Sequence, residues 1–383
     1  MRHQNSLLHD LLKFIPWHRF DRLVDEYKAD RRVRQLSTKS QFIALLHGQL
    51  SGAQSLREIE VTSASHAARF YHLGAKAPKR STLADANAKR PAELFADLFS
   101  VLLAQARPGL RRHIRDAVQL LDATCVPLHA LSQSWAREKT RGAGAKMHVV
   151  FDLDARMPVH FDVTPARTND IEVAKALDLT PGTTYVFDLG YYDFTWWRRL
   201  HDTDCRFVTR LKRNTRPKVI EERPVEPGGS ILADRVIAVA WPMSKNRKNP
   251  LRDVPLREIV VVIETGKKLR IVSNDLDASA KEIADLYKAR WKIELFFKWV
   301  KQNLKIRRFI GTSETAVRIQ IAVALIAFLL LKIAFKAQSV VTSLLAFTRL
   351  VRAQLLNFRS IHQLIHPPPP KCLDPAQKEL ALC

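Results

Sequence analysis

The sequence reads as an α/β protein: an all-α, basic N-terminal domain, then a mixed-sheet core that carries an inserted β-subdomain. Three observations lead there. Apolar residues recur at helical spacing over roughly the first hundred positions. From Val118 the pattern shortens to strand-like apolar runs, first as a meander and then alternating with helices. A third stretch, residues 213–276, is rich in Pro, Gly and β-branched residues.

Leu7, Leu8, Leu11, Leu12 and Ile15 form a short amphipathic helix stopped by Pro16, and Phe20, Leu23, Val24 and Tyr27 form a second. Ser37-Thr38 caps an apolar helix through Leu50, which Ser51-Gly52 breaks, and Ser55 opens the next. Lys79–Arg90 and Leu94–Leu103 complete a domain placed at residues 1–110. Helix, small-residue turn and helix recur here as a helix-turn-helix reader of DNA requires, although ordinary helical cores share that pattern.

Strand patterns follow at Val118–Val126, Lys146–Leu153 and Pro158–Thr164, the last two joined by a hairpin turn at Asp154–Met157. Asn169-Asp170 caps a helix over Ile171–Leu177, Thr184–Tyr192 is a fourth strand, Phe194–His201 a helix and Arg206–Leu211 a fifth strand. These make up residues 111–212, the first part of the core. The insert, 213–276, contains β-rich runs at Arg235–Trp241, Leu256–Ile263 and Leu269–Ser273. Residues 277–338 complete the core, and 339–383 form a basic C-terminal helix with a Pro-rich tail.

At 383 residues, 46% hydrophobic and 26% charged, the chain can bury two or three sizeable cores. Lys and Arg number 62 against 38 Asp and Glu, a formal +24 with a pI near 10.2. That excess points to a polyanion and away from a small acidic substrate. Cys125, Cys205, Cys372 and Cys383 lack C-x-x-C spacing, which disfavours a zinc site or disulfide frame and fits a reducing cytoplasm. Met1–Lys13 has no signal-peptide pattern. The longest apolar run, Ile321–Leu331, falls short of the about 20 residues that span a bilayer and reads as a buried helix.

The chemistry is carried by acids. Asp122 and Asp188 stand at or just past the ends of apolar, β-rich runs, where neighbouring strands leave the core. Two such carboxylates and a third from a helix can place two hard divalent cations, Mg²⁺ or Mn²⁺, to clamp a phosphodiester displacement. Asp152, Asp154, Asp162 and Asp193 are rivals. A hairpin turn and a helix cap account for Asp154 and Asp193, and the exposed sides of strands for Asp152 and Asp162. The third acid is Glu294, in a helix from Tyr287 to Lys301 with Ser279 and Asp277 as caps. On an ideal helix Tyr287, Arg290, Glu294, Lys298 and Lys301 share one stripe, and Leu286, Ile293, Phe296, Trp299 and Val300 oppose it. A lone acid in a row of cations calls for a metal and a polyanion. Lys305, Arg307 and Arg308 extend the row. In the insert, Lys245–Asn249 can track a DNA backbone and Trp241 can stack on an unpaired base, with core packing the commoner role for such a Trp.

Tyr287, Arg290, Glu294 and Lys301 reproduce the signature Tyr-x2-Arg-x3-Glu-x6-Lys, preceded in order by Leu121-Asp122-Ala123-Thr124 and Asp188-Leu189-Gly190-Tyr191-Tyr192-Asp193. With these the chain resembles, up to about Gln338, a bacterial insertion-sequence transposase of the DDE type. The resemblance implies an RNase H-like catalytic domain in which Asp122, Asp188 and Glu294 hold two Mg²⁺ ions, with Mn²⁺ a substitute. It implies binding of double-stranded DNA, both element ends and target, and cut-and-paste transposition through a homodimeric synaptic complex. It places the protein with the nucleoid in a bacterial cytoplasm. Tyr287, Arg290 and Lys301 would hold phosphate near a hairpin, with Lys298 and Lys305 as neighbours. Leu189 departs from relatives that carry Arg there. The competing readings are another RNase H-like metal nuclease and an inactive DNA-binding derivative.

Overall fold

The computed structural model describes residues 6–106, 117–137, 142–239, 249–304, 306, 309–357 and 360–366. The chain falls into two compact units, one of residues 1–86 with 326–383 and one of residues 87–325.

In the helical unit, α1 (Leu7–Leu12), α2 (Trp17–Glu26), α3 (Thr38–Ser51), α4 (Leu56–Ser65) and α5 (Ala67–His72) follow in order, with most of α6 (Arg80–Lys89). The caps behave as their chemistry requires. Ser37 Oγ accepts from Ser40 N, Ser55 Oγ accepts from Glu58 N, and Gly52 ends α3 with φ +83°, a conformation that costs a side-chain-bearing residue free energy. Among the described residues α3 is buried on almost every face, including His47 and Gln41. The sequence pattern does not resolve α5 as a separate helix. The C-terminal helices α14 (Leu344–Gln354) and α15 (Ile361–Ile365) belong to this unit. Arg352 Nε donates to Leu50 O at 3.1 Å and Leu8 N to Leu355 O at 2.9 Å.

The second unit contains α7 (Glu93–Ala106) and a nine-stranded sheet: β1 (Val118–Leu128), β2 (Ala143–Asp152), β3 (Met157–Pro165), β4 (Thr184–Val186), β5 (Arg206–Arg210), β6 (Lys218–Arg223), β7 (Ile231–Ala238), β8 (Leu256–Val262) and β9 (Lys268–Ser273). The spatial order is β3-β2-β1-β4-β5-β9-β8-β7-β6. β1 runs antiparallel to β2 and parallel to β4, and β4 parallel to β5, so a meander continues into crossovers. That is the RNase H-like arrangement expected above. The inserted strands are not set apart from the core: β9 pairs antiparallel with β5 and extends the same sheet. Short helices α8 (Gln133–Ala136) and α9 (Asp170–Lys175) and the longer α10 (Phe194–Asp202) lie in the connections. One face is packed by Leu121, Val150, Phe187, Trp196, Trp197 and Phe207, with Trp197 and Phe207 ring centroids 5.2 Å apart.

Several expectations are corrected. β4 is three residues long because Asp188 turns the chain into a 3₁₀ segment at Leu189–Tyr191. β6, whose residues are mostly exposed and charged, lacks the alternation that marks a half-buried strand. Asn169 makes no side-chain cap on α9. Asp152 is buried rather than exposed, its carboxylate accepting Ala155 N at 2.8 Å to close the β2–β3 turn. Asp162 is partly exposed and pairs with Arg318 at 3.3 Å.

The signature stretch forms two helices, α11 (Ala280–Ala289) and α12 (Trp291–Asn303), rather than one. Ser279 and Glu282 form a reciprocal capping box at the start of α11. At Arg290 the amide bonds to Tyr287 O three residues back, and Ile293 N bonds to Arg290 O likewise, which tightens the turn there. A buried pair places the segment before α11: Arg257 meets Asp234 through two bonds, Nε–Oδ1 at 2.8 Å and Nη2–Oδ2 at 2.5 Å, and also donates to Leu276 O and Ala278 O. α13 (Glu314–Lys336) is 23 residues long and holds an 18-residue window with a mean hydropathy of 2.2, long and apolar enough to cross a membrane, yet 83% of that window is buried within the protein.

Candidate active site and nucleic-acid interface

Asp122 is the fifth of eleven residues in β1, so the strand does not end there. What ends is its pairing with β4. The parallel ladder runs from Val118–Thr184 to Leu120–Val186, and Asp122 and Asp188 each lie two residues beyond that last rung. Register alone therefore carries both acids out of the sheet side by side. Alternation along β1 sends Leu121 into the aromatic core and Asp122 to the opposite face. α12 lies on that face, where Phe296 meets Phe151 with centroids 5.1 Å apart. The same helix brings in Glu294.

The sequence-predicted residues meet there. Arg290 Nη2 donates to Glu294 Oε1 at 2.6 Å, and Arg290 Nη1 reaches Asp122 Oδ2 at 3.5 Å. Burial pushes the Asp122 carboxyl up to about 6, against the Ala123 amide and Arg290, which hold it down, and with the charges of Asp188 and Glu294 adding to the rise. Asp188 Oδ1 accepts Gly190 N at 2.7 Å, which fixes the turn after β4. Among the described residues no group of three His, Cys, Asp or Glu is drawn close enough to hold an ion. The donor chemistry nonetheless fits a hard cation: three carboxylates, no imidazole or thiolate among them, and one so desolvated that its own charge is disfavoured. Arg290 supplies the positive charge between Asp122 and Glu294.

Tyr287 belongs to α11 rather than α12 and is buried rather than displayed on a cationic stripe. Its ring lies 5.9 Å from the Arg290 guanidinium carbon. Burial raises its hydroxyl pKa, and Arg210 and Arg290 oppose that rise. Lys301 Nζ donates to Cys125 O at 2.9 Å, pinning the far end of α12 to β1. Lys298 is exposed. Of the expected buried face, Ile293, Phe296 and Val300 are buried, while Leu286 and Trp299 are only partly so. Lys305 and Trp241, with most of the Lys245–Asn249 segment, lie outside the described residues.

Three residues at the site are given no part in it by the sequence pattern, although Asp170 reads as a helix cap and Tyr191 stands within the second-acid motif. Arg210, at the end of β5, has a buried Nε without a hydrogen-bond partner among the described residues. Arg290 Nε is in the same condition. Unpaired buried donors of this kind are uncommon in folded proteins. Asp170, held by Lys146 at 2.9 Å, presents its other oxygen toward Gly190. The buried Tyr191 hydroxyl, its pKa pushed up first by burial, feels Asp170, Asp122 and Asp188 together. Only their position in space reveals all three.

Residues 114–330 match the family described as the transposase DDE domain, more than half of the chain, and residues 3–76 match a domain of unknown function. The chain is 38% identical to the putative transposase y4zB of Sinorhizobium fredii, over 76% of this chain and 82% of that protein. It is 27% identical to the probable transposase for insertion sequence element IS5377 of Geobacillus stearothermophilus, over 70% and 72%. A cryo-EM structure of the piggyBac transposase synaptic complex with hairpin DNA aligns at 13% identity and a TM-score of 0.46, covering 97% of this chain and 84% of that one.

Proposed function

The chain belongs to the DDE transposase family, and we propose that it binds the terminal inverted repeats of an insertion sequence and moves it by cut-and-paste strand cleavage and transfer. The observation that carries the reading is the convergence of Asp122 and Asp188 two residues past one ladder rung, with Glu294 bridged to Asp122 through Arg290.

Asp122, Asp188 and Glu294 are the residues that would hold two Mg²⁺ ions, with Mn²⁺ a substitute. Bound divalent ions polarise the phosphodiester and lower the pKa of an attacking water or 3′-hydroxyl. The protein's own part is to position and neutralise. Tyr287, Arg290 and Lys301, with Arg210, hold the phosphate next to the scissile bond, and a hairpin at the element end would be gripped by the same donors. Lys298 and Lys305 extend the contact along the backbone, and Trp241 stacks on a displaced base. Arg210 on β5, and Arg290 and Lys301 with α12, are carried by regular elements, which supports a clamp that needs little reorganisation at reaction.

Residues 1–110 bind the element ends, residues 111–212 and 277–338 cut and join, and the inserted strands at 213–276 support the DNA. Within the C-terminal residues 339–383, the amphipathic stretch up to Leu364 serves a subunit contact in a homodimeric synaptic complex. A protein with this task works on DNA in the bacterial cytoplasm.

The deciding experiment compares wild type with Glu294→Ala on a duplex carrying the element end. The variant should retain binding and lose Mg²⁺-dependent nicking by at least ~10³-fold. Full nicking by Glu294→Ala would remove Glu294 from the metal site.

A further inference from the structure

A groove of about 820 Å³ has Leu189, the residue after the second acid, in its lining. Its walls are the end of β5, the connection from β5 to β6, and the β8–β9 hairpin. Arg210, Lys212, Arg213, Lys267 and Lys268 line it, and among the described residues none of these five has a carboxylate partner. The one acid in the lining, Glu258, is buried and committed to Arg270. Arg213, Lys267 and Lys268 are exposed, and Lys212 is steadied over the Tyr192 ring at 4.3 Å.

Resting on the transposase reading above, we propose that this groove is a second DNA track. It grips backbone phosphates on the Asp188 side of the scissile bond, opposite the side served by α12. The cations are spread along three segments instead of converging on one point, so a single small anion could meet only a few of them. A polyanion meets each in turn, and the repulsion among them becomes attraction. Lysines on an exposed hairpin act as point charges for backbone rather than as readers of base edges, so the track is indifferent to sequence. The position left apolar by Leu189 is bordered by a cation from β5.

The test uses the full chain and a fluorescein-labelled 20-bp duplex of arbitrary sequence, with binding measured across a salt series. The triple variant Arg213→Gln, Lys267→Gln, Lys268→Gln should make the log–log salt slope shallower by roughly 2 to 3, near 0.9 for each phosphate no longer neutralised. Lys267→Glu with Lys268→Glu should weaken binding further, and both variants should keep the wild-type melting temperature because the changed side chains are exposed. An unchanged slope in both variants overturns the track, as does wild-type capture by phosphatidylserine vesicles with no duplex binding. The two readings fail separately. A shallower slope alongside nicking by Glu294→Ala keeps the track and removes the metal assignment. An unchanged slope alongside a dead Glu294→Ala does the reverse.

Discussion

Arg290, at the break between α11 and α12, donates to Glu294 in the first turn of α12 at 2.6 Å, and the same guanidinium reaches Asp122 at 3.5 Å on β1. An arginine therefore stands in the charge position that a divalent cation would share. If both neutralise the same carboxylates, they compete for part of the same stabilisation. Arg290→Ala should lower the melting temperature in chelator, because two part-buried carboxylates lose their counter-charge. The increment in melting temperature on adding 10-mM-scale Mg²⁺ should then exceed that of wild type. Equal increments in thermal-shift measurements would mean that the arginine and the ion act on different groups.

Asp122 gives a second readout. Its carboxyl is raised to about 6, so the fold is favoured while the group is protonated, below the ordinary 3.8, and that support is lost as pH rises through 6. At pH 8 the cost amounts to at most about 3 kcal/mol. Asp122→Asn should therefore stabilise the metal-free protein above pH 6, with the gain fading toward pH 4, while abolishing Mg²⁺-dependent nicking. Urea unfolding at pH 5 and pH 8 reads the difference, and a destabilised variant at pH 8 would contradict it.

The helical unit carries the opposite sign. His47 is buried in α3 against Phe70, at 5.5 Å between centroids, and burial, helped by the charge of His66, lowers its pKa to about 4. A depressed pKa means that stability is intact above 6.5 and is lost as pH falls from 6.5 toward 4, up to about 3 kcal/mol. His148 and His160, lowered first by burial, push the sheet unit the same way. His47→Leu should flatten this acid dependence for the helical unit. Hydrogen exchange in α3 at pH 7 and pH 5 should show wild type opening more at pH 5 and the variant much less so.

Much of this was legible in the sequence where the cause is local. Ser37, Ser55 and Gly52 mark helix boundaries with their own side chains or φ angles, and the structure places those caps at the positions read. The β1–β2–β3 meander followed from alternation and one turn. What was not legible depends on pairing partners distant in sequence. Asp122 looked like a strand terminus because the sequence does not show that β4 stops at Val186 while β1 runs on to Leu128. The split at Arg290 occurs in a stretch without Pro or Gly, so no local signal announced it. Arg210 reaches the site only through strand order, with nothing along the chain to distinguish it from an ordinary surface charge, and Asp170 reads along the chain as a helix cap and no more.

Gly190 offers the sharpest test of the second acid. A Cβ there would sit 3.0 Å from Asp188 Oδ1 and 3.2 Å from Asp170 Oδ2, so either carboxylate must give way by a few tenths of an ångström. Asp170 is tied to Lys146 at 2.9 Å, whereas Asp188 is held on that side by the Gly190 amide itself. The displacement should therefore fall mainly on Asp188. The Gly190 backbone angle is not in the left-handed region, so alanine brings no conformational strain of its own. Gly190→Ala should fold, bind duplex DNA with the wild-type salt slope, and lose nicking rate by about 10- to 100-fold, the scale expected when a positioned group moves by less than about 1 Å. Single-turnover nicking at saturating protein separates this loss from binding. Wild-type rates in that assay would show that the Asp188 carboxylate tolerates the shift.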